Sequence, residues 1–115
     1  MQQFLVKPEY ITQLHHMDAY GFANNHAMQH GTEAYRQSVD FLEKMGSKVF
    51  GTNQQRTITF EHQGSTISLT GFSQRIDAWS EIHGYWHNLE NKEVLEELKD
   101  CHPHAFKIAY IHWGK

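Results

Sequence analysis

The sequence predicts an α+β domain in which a five-stranded antiparallel sheet curls around one long helix. Three observations point there. Between residues 26 and 45 the apolar side chains Ala34, Tyr35, Phe41, Leu42 and Met45, with Ser38 among them, recur at helical spacing. Stretches 9–15, 56–62, 65–74, 76–88 and 105–113 are rich in strand formers or alternate in polarity. A chain of 115 residues has room for one core and no second layer, so sheet and helix must bury each other. The expected organisation is a single domain, 1–115.

Each element has a local reason. Residues 9–15 follow Pro8, which suits the start of an edge strand; a helix beginning at the proline is the competitor, and the strand is preferred. Asn24 or Asn25 would cap the long helix, and Gly46 would end it. Gly31 weakens its middle by roughly 1 kcal/mol against alanine. Residues 47–54 read as a loop. Strand 56–62 turns at Gln63-Gly64 into 65–74, where Gly71-Phe72 breaks the alternation and predicts a bulge. Residues 76–88 alternate as a third strand. Helix-forming residues occupy 91–101, and Pro103 stops them. The stretch 105–113 is apolar on both parities, as in a strand covered on both faces.

The totals exclude several classes. Apolar residues make up 39% and charged residues 20%, which fits neither a disordered tail nor a membrane protein. No apolar run approaches the roughly 20 residues that span a bilayer. A net charge of −3 gives no basic surface for nucleic acid. The single cysteine, Cys101, excludes an internal disulfide, and the first residues carry no secretory signal pattern. The expected compartment is the cytoplasm. Ten histidines stand out, but they are scattered, and neither His26/His30 nor His83/His87 sits in a known metal motif. The reading assigns no metal and no cofactor.

The stretch most suited to chemistry is His15–Arg36, which joins a strand to the long helix. Its turn holds Asp18, Gly21, Phe22, Asn24, Asn25 and His26. A carboxylate beside the positive end of a helix can serve acyl chemistry. His26, His30, Glu33 and Gln37 form a polar stripe on the helix expected behind it.

Asp18, Gly21, Asn24 and Asn25 match the spacing of an Asp-x-x-Gly-His-x-Asn-Asn turn, and Glu33 and Arg36 fall where a helical Glu and Arg would follow. Together with the element order, this resembles the hot-dog fold, and more narrowly the acyl-CoA thioesterases related to 4-hydroxybenzoyl-CoA thioesterase. The match covers residues 10–46, and Phe22 stands where the motif has histidine. The resemblance implies a thioester hydrolase acting on acyl-CoA or acyl-carrier-protein substrates. Asp18 would be base or nucleophile, with Glu33 as the alternative carboxylate. Gly21, Phe22, Asn24, Asn25 and His26 would line the substrate, and backbone N–H groups of residues 21–27 would hold the oxyanion. One such donor contributes roughly 3–4 kcal/mol in known systems. The resemblance also implies a homodimer or tetramer. A non-catalytic acyl-chain or protein-binding domain of the same fold is the alternative, and a histidine-rich metal-binding protein is a further one.

Overall fold

The computed structural model describes residues 7–74 and 92–113. Their order is α1 (Pro8–Thr12), β1 (Ala19–Gly21), α2 (Gly31–Lys44), β2 (Lys48–Phe50), β3 (Thr57–His62), β4 (Ser65–Ser73), α3 (Lys92–Asp100) and β5 (Phe106–His112). The strands form two sheets: a parallel pair, β1-β2, and a three-stranded sheet in the order β3-β4-β5. The expected third strand at 76–88 lies outside the described residues.

The predicted hot-dog architecture is not what the chain adopts. Among the described residues there is no five-stranded antiparallel sheet, and α2 is not a rod wrapped by strands. The reason lies just past Gly46. That glycine, at φ +91°, ends α2 as expected, with Gly46 N–H donating to Glu43 O and Ser47 N–H to Leu42 O. The residues read as loop then run straight into β2, which lies parallel to β1 in the register Ala19↔Lys48 to Gly21↔Phe50. Parallel neighbours require a crossover, and α2 is that crossover. Tyr35 and Leu42, two turns apart, are its buried face. Ser47 Oγ, itself buried, donates to Met17 O at 2.9 Å and fastens the end of the crossover to the chain ahead of β1.

Two other local readings change. Residues 8–12 are helical, because a proline fits the first helical turn, where its missing N–H leaves no bond unmade. Helix α2 begins at Gly31, five residues later than predicted. Residues 26–30 are instead turns, closed by Gln29 N–H to His26 O and Gly31 N–H to Met28 O. Gly31 at φ +87° makes the reversal into the helix.

The β3-β4 hairpin matches its sequence signal. Gln63 and Gly64 both take positive φ, 49° and 78°, giving the two-residue turn whose twist suits a hairpin. The predicted bulge at Gly71 is absent: β4 pairs β5 in parallel without a break from Ile67↔Phe106 to Ser73↔His112. Gly71 is needed for another reason. A Cβ there would stand 2.8 Å from Gly51 Cα, so it marks the point where the chain leaving β2 crosses β4. Gly51, at φ +75°, is packed as tightly against Ala23, which is wholly buried.

This crossing joins the two sheets. Phe50 sets its ring edge-on to Tyr110 of β5 at 6.0 Å, and Lys48 reaches the Phe60 ring and the Thr59 carbonyl of β3. The opposite face of β3-β4-β5 carries Thr57, Ser68 and Thr70 against Leu98 and Cys101 at the end of α3. Thr57 and Thr70 share a 2.7 Å hydroxyl hydrogen bond, so these polar side chains are satisfied where they pack. Strand β5 was expected to be covered on both faces. Instead Phe106, Ile108, Tyr110 and Ile111 are exposed, and among the described residues β5 has β4 as its strand neighbour. No helix among the described residues is long and apolar enough to cross a membrane.

Candidate functional site

The turn singled out in the sequence sits on the glycine crossing. Ala23 fits against Gly51 and Gly71 because neither presents a side chain, and this draws residues 22–26 down onto the β2-β4 junction. Phe22 N–H donates to Phe50 O at 2.9 Å, extending the β1-β2 pairing by one residue. Its ring stands edge-on to Tyr35 at 5.4 Å, which ties the turn to α2. Phe22 is therefore an apolar anchor between strand and helix.

The two asparagines divide the work. Asn24 turns back on its own segment, where Oδ1 accepts the His26 N–H at 2.9 Å in a local turn closed by the side chain. Asn25 reaches across the molecule: its Oδ1 lies 2.9 Å from Nε2 of His112, the last residue of β5, 87 positions away in the chain. An amide oxygen only accepts, so Nε2 carries the proton and donates. The Nδ1 lone pair of the same ring is then left to accept a proton or bind a ligand. Both side chains are half-buried. An asparagine thus fixes the tautomer and direction of a histidine at a strand end, a standard place for chemistry because the side chain there meets the loops. His26 is exposed, with Nδ1 3.1 Å from Gln29 Oε1, and lies in the turn, so His26 and His30 do not share a helical face.

The other candidate residues lie apart from this junction. Asp18 is exposed ahead of β1, where its backbone carbonyl accepts the Lys48 N–H at 2.8 Å. Glu33 is exposed on α2 and accepts from Gln37 Nε2 one turn on, at 3.1 Å. The open side of Gly21 is filled by the Phe50 ring, whose Cζ would be 3.0 Å from a Cβ at that position. Tyr20, Gly21 and Phe22 line a 630 Å³ cleft between β1, α1 and α2, together with Ile11 of α1 and Phe41 of α2; neither Asp18 nor Glu33 lines it. The N–H groups of Phe22, Asn24 and His26, three of those expected to hold an oxyanion, are bonded within the chain. Asp18→Asn is accordingly expected to change the unfolding free energy by less than about 0.5 kcal/mol in denaturant titration. Among the described residues no three His, Cys, Asp or Glu side chains gather as a metal site, and His83 and His87 lie outside those residues.

Sequence reasoning found the asparagine pair, missed His112, Phe50 and Gly51, and marked Gly71 only as a bulge. One signal for His112 was available: it is the polar residue that closes the apolar run Ala105–Ile111.

Residues 2–115 match the family model for the bacterial capsule synthesis protein PGA_cap. No curated protein and no solved structure matches the chain. The family match takes in residues 10–46, on which the thioesterase resemblance rested, and places them elsewhere. The hot-dog thioesterase assignment and hydrolysis of an acyl-CoA or acyl-carrier-protein thioester therefore do not hold. The non-catalytic acyl-chain or protein-binding alternative is no better supported by the family match. With nearly its whole length matched, the chain belongs to the bacterial capsule synthesis protein PGA_cap family.

Proposed function

We propose that this chain acts in the synthesis of a bacterial capsule, and that the Asn25–His112 pair is the centre of its working site. The family match supports the first part. One observation supports the second: a histidine at the end of β5 is held in a single tautomer by an asparagine from a turn 87 residues earlier. The chain brings these two residues together only by crossing β2 over β4 at two glycines, with Ala23 as the spacer. His112, so oriented, offers Nδ1 to a substrate proton or polar group, and Asn25 sets where that nitrogen points.

The test is complementation in the organism that encodes the chain, with capsule polymer measured after deletion and re-expression. Wild type is expected to restore the polymer, and Asn25→Ala and His112→Ala to lose most of it. Losing the hydrogen bond should cost only about 1 kcal/mol of stability, so both variants remain folded by circular dichroism. His112→Gln keeps an N–H donor near Asn25 but removes the second ring nitrogen. It is expected to fold as wild type and still fail. Full capsule from His112→Ala would remove the site, and an unaltered capsule after deletion would remove the role itself.

A further inference from the structure

We propose that Cys101 is a site of reversible oxidation by hydrogen peroxide, with Ser68 holding the oxygen that the sulfur gains. Cys101 is the one cysteine of the chain, and its half-buried side chain borders two cavities. The first, 150 Å³, lies between the end of α3 and the β3-β4-β5 sheet, and Ser68, Thr70 and Lys107 line it together with Leu98 and Cys101. The second, 340 Å³, opens among the exposed residues Asn53, Gln54 and Gln55, and Arg56 lines it with Cys101.

The first cavity contains a donor with nothing to donate to. Ser68 is 4% exposed, and a hydroxyl buried that far ordinarily has a partner. Thr70, two residues along β4 on the same face, is bonded to Thr57 at 2.7 Å, and that pair leaves Ser68 out. Among the described residues the Ser68 side chain has no hydrogen bond, and it faces the space that Cys101 borders. Positive charge stands on both sides of the sulfur. Lys107, the β5 neighbour of Ser68, lines the first cavity with its Nζ 3.3 Å from the Lys99 carbonyl, and Arg56 lines the second. Partial exposure and cationic neighbours are the surroundings in which cysteines react, and Cys101 has both.

In the oxidation the sulfur, as thiolate, attacks one oxygen of the peroxide. The S–O bond forms as the O–O bond breaks. Sulfur gives up two electrons, and the departing oxygen takes them, picks up the proton the thiol released, and leaves as water. The product is a sulfenic acid whose new oxygen accepts the Ser68 O–H within the cavity. Lys107 and Arg56 stabilise negative charge as it passes through the reacting centre. With no second cysteine in the chain, no internal disulfide can follow. A small thiol restores the residue in two steps: it displaces water to give a mixed disulfide, and a second equivalent releases the Cys101 thiol.

Hydrogen peroxide treatment of the full chain, with dimedone as the sulfenic-acid trap and intact mass as the readout, tests the site. Wild type is expected to gain one dimedone adduct, and Cys101→Ser none. Ser68→Ala should slow adduct formation about fivefold, the share of one hydrogen bond. Iodoacetamide delivers no oxygen, so it should alkylate Cys101 in Ser68→Ala at the wild-type rate. Lys107→Gln, at an exposed position, should slow oxidation about threefold, and it answers the same question if the serine variant loses the wild-type circular dichroism. A wild type that yields no adduct overturns the proposal, as does oxidation that neither variant slows. A parallel fall of oxidation and alkylation in Ser68→Ala overturns it too, because Ser68 would then govern access to the sulfur and not the fate of the oxygen.

Discussion

Gly51→Ala is expected to lower the unfolding free energy by about 3 kcal/mol, while the same change at Gly64 costs about 1 kcal/mol. Both glycines hold left-handed backbone, φ +75° and +78°, so both pay the penalty of placing a Cβ there. They differ in what the methyl would meet. At Gly64, on the hairpin tip, there is nothing within 4 Å. At Gly51 the methyl would lie 2.8 Å from Ala23 Cβ and 3.0 Å from Ala23 N, and main-chain atoms cannot rotate out of the way. Relief requires the 22–26 turn to lift off β4, and that movement separates Asn25 from His112. Urea unfolding measures the first effect. The second appears in the imidazole nitrogen resonances, since Nε2 of His112 loses its acceptor. Equal losses at Gly51 and Gly64 would mean that backbone strain alone decides and that the crossing is not close-packed.

The same crossing shows how far the sequence could be read. The β3-β4 hairpin was legible because its signals are local: alternation on either side and Gln63-Gly64 between. Helix α3 and the bounds of β5 were legible for the same reason. Strands β1 and β2 were not, since three residues carry no period, and each exists only because the other lies beside it. Missing β2, and reading the α1 segment as a strand, converted a crossover helix into an expected central rod of a hot-dog fold. Gly71 was seen as unusual and explained by a bulge. The true cause, the main chain of Gly51 pressed against it, is a contact between segments twenty residues apart. The asparagine pair was recognised as special for its density in a turn. That Asn24 serves the turn and Asn25 serves a histidine near the other end of the chain depends on tertiary placement, which no local spacing encodes.

Met28→Ala is expected to cost about 3 kcal/mol, and Met28→Leu less than about 1.5 kcal/mol. Met28 is 1% exposed in a segment whose other residues are open or half-open, with His26 and His30 in solvent on either side. Residues 26–30 run as turns between β1 and α2, with Gln29 N–H donating to His26 O and Gly31 N–H to Met28 O. The buried Met28 side chain packs this segment into the core, between the Asn25–His112 pair and the first turn of α2. Truncation leaves a cavity that these turns can fill only by moving, whereas leucine occupies a similar volume and keeps them in place. The substitutions separate stability from site geometry. Met28→Leu should retain both the denaturant midpoint and the capsule, while Met28→Ala should lose capsule even under conditions where it remains folded, because Asn25 is displaced along with the turn. A loss below about 1 kcal/mol for alanine would show that the segment is anchored elsewhere, since a fully buried methionine cannot be removed so cheaply from a packed core.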